Sequence, residues 1–445
     1  MRDSILIIDD ENDLRLLLTK LLKLEDYVTF EAETGEAGLN ILKTEDISVV
    51  ISDVKLPDVY GIDLILKIKE INPMCEVIML TAFGTIQDGV RAIKEGAFDY
   101  ITKGDEDNKI IPLVERAIEK VQLKRRIEQL EKSASEKFSF DAITGNSILI
   151  KNAKELASKV AATDTPVLLL GETGTGKELF AQAIHYSSAR KGKAFVAINC
   201  SAIAKELLES EMFGYKAGAF TGAVKNKKGL FEEASTGTLF LDEIGELDLS
   251  LQAKFLRVLE SNEFIKPGDT KSTKVDVRII AATNKNLEEE ISNGNFRSDL
   301  YYRISVIKIE LPSLSKRKDD LEALTEYFVG LFSNKLKKDI KAISKGFLES
   351  IKRYEFPGNI RELRNVIERA VILSDGEMLT EKTLPKEIFP GVTDKRDSAT
   401  LLDEVEKNHI LKILESVNGN KTKAAEVLGI GLTTLYRKLQ SYGLE

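Results

Sequence analysis

The chain has 445 residues, too many for one hydrophobic core, and this length suggests about three domains. A composition of 43% hydrophobic and 31% charged residues is that of a globular protein, and a net charge of −8 argues against a broad nucleic-acid surface, so any DNA contact is confined to a small module. Two cysteines (Cys75, Cys200) and two histidines (His185, His409) exclude a disulfide framework and a Cys/His metal cluster; "ILII" near the start is too short for a signal peptide or membrane span, so a cytoplasmic protein is expected.

From residue 4 to about 118, apolar runs ("ILII", "SVVIS", "EVIMLT") alternate with helix-period segments such as "NDLRLLLTKLLK". That alternation predicts a parallel sheet with helices on both faces. Asp9 and Asp10 follow the first strand and Asp53 ends the third, so three carboxylates converge in the crevice where such sheets bind ligands. Their repulsion is relieved by a hard divalent cation, and Mg²⁺ fits. Thr81 ends "VIMLT" and Lys103 follows "FDYIT", adding a hydroxyl and an ammonium. An acid nucleophile, a metal, a hydroxyl and a cation make an acyl-phosphate site. The segment resembles the flavodoxin-like receiver domain of two-component response regulators. The resemblance implies that Asp53 accepts phosphate from a sensor histidine kinase and that Asp9, Asp10 and Asp53 surround Mg²⁺. It further implies that Thr81 and Lys103 contact the phosphoryl group and that Tyr100 is the aromatic switch position. Gly104 stands where the family usually has proline.

"IPLVERAIEKVQLKRRIEQLEKSASE" continues as one long helix, so residues 119–138 are expected to be a linker helix. Ile118, Val121, Lys124 or Arg125, then Ile127 or Glu128 and Leu130 lie along a short seam, compatible either with a dimerising coiled coil or with a rigid spacer.

A second α/β block is expected over residues 139–389, with a helical lid from about 315. "VLLLGETGTGKE" is a buried strand, a glycine loop and a helix start. Backbone N–H groups of Gly171, Glu172, Thr173, Gly174, Thr175 and Gly176 would cradle phosphates, with Lys177 reaching the outer ones. Glu178 occupies the place where the common motif has a Ser or Thr for Mg²⁺. About 60 residues on, "TGTLFLDE" ends a strand in Asp242 and Glu243, suited to orienting Mg²⁺ and polarising the attacking water. "VRIIAATN" puts Asn284 at another strand end, positioned to sense the γ-phosphate. "FRSDLYYRI" holds Arg297 and Arg303, suited to supplying charge across a subunit boundary, and "PGNIRELRNV" opens a helix with Arg361 in its first turn. In order, these resemble the sensor and finger positions of AAA+ P-loop ATPases, which implies bound ATP.

Between the phosphate loop and Asp242 lies "GAFTGA": Gly218, Ala219, Phe220, Thr221, Gly222 and Ala223. Glycines free the backbone, and an aromatic stands at the centre with no apolar neighbour in sequence to bury it. With the flanking "SEMFGYK" and "KGLFEEA", this resembles the signature loop of sigma-54-dependent transcription activators. The resemblance implies that Phe220 and Thr221 press on sigma-54, and that Asn199, in "AINCSAI", holds Glu243 away from water until a switch is released.

Residues 390–400 ("PGVTDKRDSAT") read as a polar linker and 401–445 as an all-α module. "KTKAAEVLG" is expected to pack Ala425, Val427 and Leu428, Gly429 turns the chain, and "LTTLYRKLQ" offers Thr433, Thr434, Tyr436, Arg437 and Lys438 to a major groove. The module resembles the Fis-type helix-turn-helix. Together the blocks resemble NtrC-type response regulators. Such a protein is a dimer when inactive and a ring of six or seven when active, and works on sigma-54 RNA polymerase bound to promoters with upstream DNA sites. A nucleotide-binding DNA switch that does no mechanical work, and a protease-associated unfoldase, are the alternatives; GAFTGA argues against the first and the terminal module against the second.

Overall fold

Short β-branched runs separated by amphipathic helices give the first part of the chain one parallel sheet. In the computed structural model, which describes residues 3–81, 86–104, 106–389, 402–417 and 419–442, the chain forms two compact units, residues 1–142 and 143–445. The linker expected at 390–400 and the last three residues of the terminal module lie outside the described residues. Among the described residues no helix is long and apolar enough to cross a membrane.

The first unit runs β1 (Ser4–Ile8), α1 (Asn12–Leu24), β2 (Val28–Ala32), α2 (Gly35–Thr44), β3 (Val49–Asp53), α3 (Gly61–Ile71), β4 (Glu76–Thr81), α4 (Ile86–Lys94), β5 (Asp99–Thr102) and α5 (Glu106–Lys137). Its sheet has the order β2-β1-β3-β4-β5, all parallel, so β1 and β3 lie side by side with Ile8 opposite Ser52. Helices cover both faces. Leu6, Ile8, Val50, Val77 and Met79 pack against one layer, and Ile5, Ile7, Val49, Ile51 and Leu80 against the other. The β3 and β4 strands are buried along their whole length, as their unbroken apolar runs require.

Helix α5 is continuous across residue 118, so the expected boundary falls inside a helix. The expected seam is also divided. Ile118 and Val121 belong to the core of the first unit, whereas Leu123, Ile127 and Leu130 are more than half exposed. Polar clamps explain the fixed first half: Lys120 and Lys124 reach the buried carboxylate of Glu76, and Arg125 pairs with Asp46.

The second unit opens with α6 (Ile148–Ala161), β6 (Val167–Leu170), α7 (Lys177–Tyr186), β7 (Phe195–Asn199), α8 (Lys205–Phe213), a small antiparallel pair β8 (Gly214–Tyr215) and β9 (Lys227–Lys228), α9 (Leu230–Glu233) and β10 (Thr238–Asp242). It continues with α10 (Leu249–Ser261), the hairpin β11 (Glu263–Ile265) and β12 (Ser272–Lys274), β13 (Arg278–Thr283), α11 (Leu287–Ser292), α12 (Ser298–Ile304) and β14 (Ile307–Glu310). The main sheet is parallel, in the order β14-β6-β13-β10-β7. Arg278, at the start of β13, is 1% exposed and donates to the carbonyls of Val160 and Ala161, satisfying the end of α6 from within the core.

The lid comprises α13 (Leu321–Leu336), β15 (Ala342–Ile343), α14 (Lys345–Arg353), α15 (Asn359–Leu373) and β16 (Met378–Leu379). Its core holds Phe328, Phe332, Phe347, Phe356 and Ile367. The lid expected to be helical from about 315 also holds strands: β15 and β16 form a two-residue parallel pair, too short to show in the sequence pattern. Last come α16 (Leu402–Ser416), α17 (Lys421–Val427), capped by the Asn420 side chain, and α18 (Leu432–Ser441). Their core is Ile410, Ala424, Ala425, Leu435 and Leu439.

Candidate functional site

The ends of β1, β3, β4 and β5 build the first site. One carboxylate oxygen from each of Asp9, Asp10 and Asp53 lies within 4.8 Å of the others, the spacing of a cation site. Lys103 Nζ stands 2.7 Å from Asp53 Oδ2, 3.0 Å from Asp9 Oδ2 and 2.8 Å from Glu11 Oε1. Thr81 ends β4, whose Leu80 is opposite Asp53. Asp9 is fully buried, and that burial raises its pKa above the usual carboxylate range; Asp53 adds to the rise while the Lys103 hydrogen bond and charge oppose it. Burial alone would lower the Lys103 pKa, but its bonds to Asp53, Glu11 and Asp9 outweigh this and raise it. Tyr100 lies on β5 with its ring against Gly89, where a Cβ would stand 2.7 Å from the ring.

Two contributors escaped the sequence reading. Glu11 is a third carboxylate on Lys103, beside Asp9 and Asp53, and buried Arg15 donates to the Asp9 carbonyl at 2.6 Å. Gly104 has φ +100°, which the proline usual at this position, fixed near −65°, cannot adopt.

The second site is a cleft of about 520 Å³, within the range of small-ligand pockets. The loop between β6 and α7 forms one wall. Gly174 and Gly176 have φ +83° and +102°, which explains glycine at both. Lys177 is 6% exposed, donating to the Gly171 carbonyl at 2.8 Å and standing 3.6 Å from Glu243. Parallel pairing of β10 with β7 and β13 brings Asp242, Asn199 and Asn284 to the opposite wall. Burial, and then the Glu243 charge, raise the Asp242 pKa, with Lys177 opposing. Glu178 and Arg361 line the same cleft, with Glu246, Ser201 and Arg364, which the sequence reading did not single out.

Asn199 departs from expectation. Its amide donates to Asp242 Oδ2 at 3.3 Å, whereas Glu243 Oε2 accepts from the Asn284 N–H at 3.1 Å. The register of β7 against β10 sets Asn199 opposite Asp242, which explains the choice. Asn284 Nδ2 meanwhile donates to Thr173 Oγ1 at 3.2 Å.

Arg297 and Arg303 do not join this cleft. Arg297 pairs with Asp299 at 2.6 Å, and Arg303 donates to the Leu259 carbonyl at 2.8 Å, lining a separate cavity with Asp164 and Asn262.

The GAFTGA loop lies between β8 and β9. A bond from Gly218 N to Ala223 O (2.8 Å) closes its base, and Gly218 and Gly222 take φ +84° and +103°. Phe220 is 49% exposed, but it is not without a neighbour: its ring meets Tyr215 edge-on at 4.9 Å. Thr221 is exposed, Ala223 is buried, and Ala219 packs against Gly268 of the β11–β12 hairpin.

In the terminal module, Thr433, Tyr436 and Arg437 are exposed on α18 and Thr434 is half-buried. Two expectations are corrected. Lys438 is bound to Glu406 of α16 at 2.5 Å, so it braces the module instead of facing outward. Val427 is 62% exposed, and Ala424 takes the core place beside Ala425. Lys421, unremarked in the sequence, lies over the Tyr436 ring at 4.8 Å.

Comparison with known proteins covers the chain in sequence. Residues 5–115 match the response regulator receiver domain, 143–310 the sigma-54 interaction domain, 315–401 the AAA+ ATPase lid domain and 401–442 the bacterial regulatory protein, Fis family. The regulatory protein AtoC of Escherichia coli (strain K12) is 38% identical, covering 100% of this chain and 98% of that protein. The transcriptional regulatory protein ZraR of Salmonella typhimurium is 38% identical over 98% of both. NtrX from Brucella abortus, solved in complex with ATP, matches with a TM-score of 0.65 and 33% identity over 100% of both chains. An acid crevice, a phosphate-loop cleft, an exposed aromatic loop and a paired-helix module thus recur in one order, and the chain belongs to the NtrC-type response regulators, AAA+ ATPases that activate transcription from sigma-54 promoters.

Proposed function

We propose that Asp53 is the phosphoacceptor and that its state controls a ring whose ATP hydrolysis drives the GAFTGA loop against sigma-54. The kinds of partner are those of the family: sigma-54 RNA polymerase, a sensor histidine kinase and DNA. Asp9, Asp10 and Asp53 would hold Mg²⁺; three carboxylates facing one lysine ammonium leave the crevice short of positive charge, which favours a divalent ion. Bound there, the ion would neutralise phosphoryl oxygens. Thr81 and Lys103 then hold the phosphoryl group, and Tyr100 reads its arrival.

In the cleft, the N–H groups from Gly171 to Gly176 cradle the ATP phosphates and Lys177 leaves its loop carbonyls for the outer ones. Asp242 would hold Mg²⁺, which Glu178 cannot do in place of the usual hydroxyl without adding charge. Glu243 polarises the attacking water, and Asn284, already bonded to the Glu243 carboxylate and Thr173, senses the γ-phosphate. Asn199, on Asp242 here, exchanges to Glu243 as the switch state changes. Arg361 meets the phosphates from the lid. Arg297 and Arg303 serve the neighbouring subunit's cleft, because neither lines its own.

Phe220 and Thr221 form the tool that meets sigma-54, and Thr433, Tyr436 and Arg437 read promoter-upstream DNA. The inactive chain is a dimer and the active ring has six or seven subunits. The observation that carries this reading is Phe220, a half-exposed aromatic in a glycine-flanked loop that adds nothing to phosphate binding. An open-complex assay on a sigma-54 promoter tests it. Open complexes should form with ATP and phosphodonor and fail without ATP; opening that proceeds without hydrolysable ATP contradicts the proposal.

A further inference from the structure

The lid contributes more to the nucleotide cleft than the two arginines, Arg361 and Arg364, that line it. A phosphate loop turns its N–H groups inward onto phosphates, so its carbonyls need donors from elsewhere. Here Gly171 O and Glu172 O take the Lys177 ammonium at 2.8 and 3.4 Å. The next three carbonyls are all taken by residues at or just before the lid. Asn359 Nδ2 donates to Thr173 O at 3.1 Å, Ile360 N to Gly174 O at 3.0 Å, and Arg317 Nη2 to Thr175 O at 3.4 Å.

Asn359 does most of this. Its amide also donates to the Glu172 carboxylate at 3.0 Å, while its Oδ1 accepts the Leu314 N–H at 2.7 Å. The residue is fully buried and its backbone is left-handed, with φ +53°, a conformation that favours Gly, Asn and Asp. The approach of lid to loop leaves no spare room: a Cβ on Gly174 would lie 2.3 Å from the Gly358 carbonyl oxygen.

The geometry points to Asn359 as a positioning residue that pins the phosphate loop to the lid, so that lid movement and loop shape are one variable. The inference rests on the reading that this loop binds ATP phosphates. Asn359 does not line the cleft; it acts through Glu172 and Thr173. A lid that swings either breaks these bonds or drags the loop with it, and ATP affinity is set from outside the pocket.

The test uses the full chain, with the dissociation constant of a fluorescent ATP analogue, steady-state ATPase kinetics and melting measured together. Asn359→Asp keeps the size, the backbone tolerance and the acceptor for Leu314, but points an acceptor at Glu172 Oε2 and Thr173 O. A lost buried bond of this kind is worth roughly tenfold in affinity. The dissociation constant and KM should therefore rise about tenfold, with kcat changed far less. Adding Glu172→Gln supplies a donor to the new carboxylate and should recover most of the affinity. Wild-type nucleotide affinity in Asn359→Asp, or a double variant no better than the single one, overturns the proposal. If Asn359→Asp fails to melt cooperatively, Asn359→Gly, which suits a positive φ, takes its place with the same expected rise and the same contradicting result. Loss of folding in both variants also overturns it, making Asn359 a folding residue only. A folded wild-type chain that binds no nucleotide fails at a different point, the reading of the loop itself.

Discussion

The two pockets open alike, at the carboxyl ends of parallel strands, but they differ in how many of their expected groups face them. In the receiver crevice every group is already in place: three acids lie within 4.8 Å, and Lys103 sits 2.7 Å from Asp53. In the nucleotide cleft the loop, the acids and the lid arginines Arg361 and Arg364 face one another, yet Arg297 and Arg303 are turned to Asp299 and to the Leu259 carbonyl. Under the proposed function, this contrast makes phosphorylation a property of one subunit and ATP hydrolysis a property of an assembly.

The sharpest way to break this comparison is at Asp53. Asp53→Asn should abolish the mass gain from a small-molecule phosphodonor with Mg²⁺, at any protein concentration. Equal labelling of wild type and variant would remove Asp53 from its role and with it the single-chain half of the contrast.

The next effect is large but depends on assembly. A trans arginine contributes about 10³-fold or more to phosphoryl transfer. Arg303→Ala and Glu243→Ala should each be inactive alone, and mixing them should restore part of the ATPase activity, with Arg297→Ala as the parallel case. Wild-type activity per chain should also rise with protein concentration, while the rate of phosphodonor labelling per chain stays flat. Mixtures that co-assemble but recover nothing would make the cleft self-sufficient.

A smaller effect sharpens the stability side of the ATPase core. His185 is fully buried, with its Nδ1 2.9 Å from Thr238 Oγ1 and its ring against Tyr186 and Phe195, and burial, then the nearby Arg278 and Arg190 charges, push its pKa down to about 4. The unfolded chain, near 6.5, takes up the proton first as pH falls. Stability is therefore intact above about pH 6.5 and lost progressively down to about 4, by at most about 3 kcal/mol. Melting of the ATPase unit, followed from pH 7 to 5, should fall less steeply in His185→Gln than in wild type. Equal slopes would place the acid sensitivity elsewhere.

Much of this was legible because the chemistry is local in sequence. The acids of the receiver follow directly on strands, and the glycines at 174 and 176 announce their own positive φ. What was not legible came from partners far along the chain. Asn359 meets Glu172 across 187 positions, and no periodicity links them. Lys438 looked like a DNA contact because Glu406, its partner, lies a whole helix earlier. The resemblance points Asn199 at Glu243, and the strand register that sets it on Asp242 in this structure is not visible in the sequence. Val427 read as core from its apolar type alone, and only the packing of α17 shows that Ala424 faces inward.

The central claim is that the motor and its tool are separable within one domain, and Phe220→Ala tests it most directly. The Phe220 side chain is half-exposed and meets Tyr215 edge-on, so truncation removes a surface contact and no phosphate-binding group. An aromatic anchor of this kind is worth about 2 kcal/mol, or roughly 30-fold in affinity. ATPase rate, melting and sigma-54 binding with an ATP transition-state analogue are measured on this one variant. Phe220→Ala should give a folded protein that hydrolyses ATP at a substantial rate and binds sigma-54 at least about 30-fold more weakly. Normal sigma-54 binding by a folded Phe220→Ala protein, or joint loss of folding and hydrolysis, would contradict it.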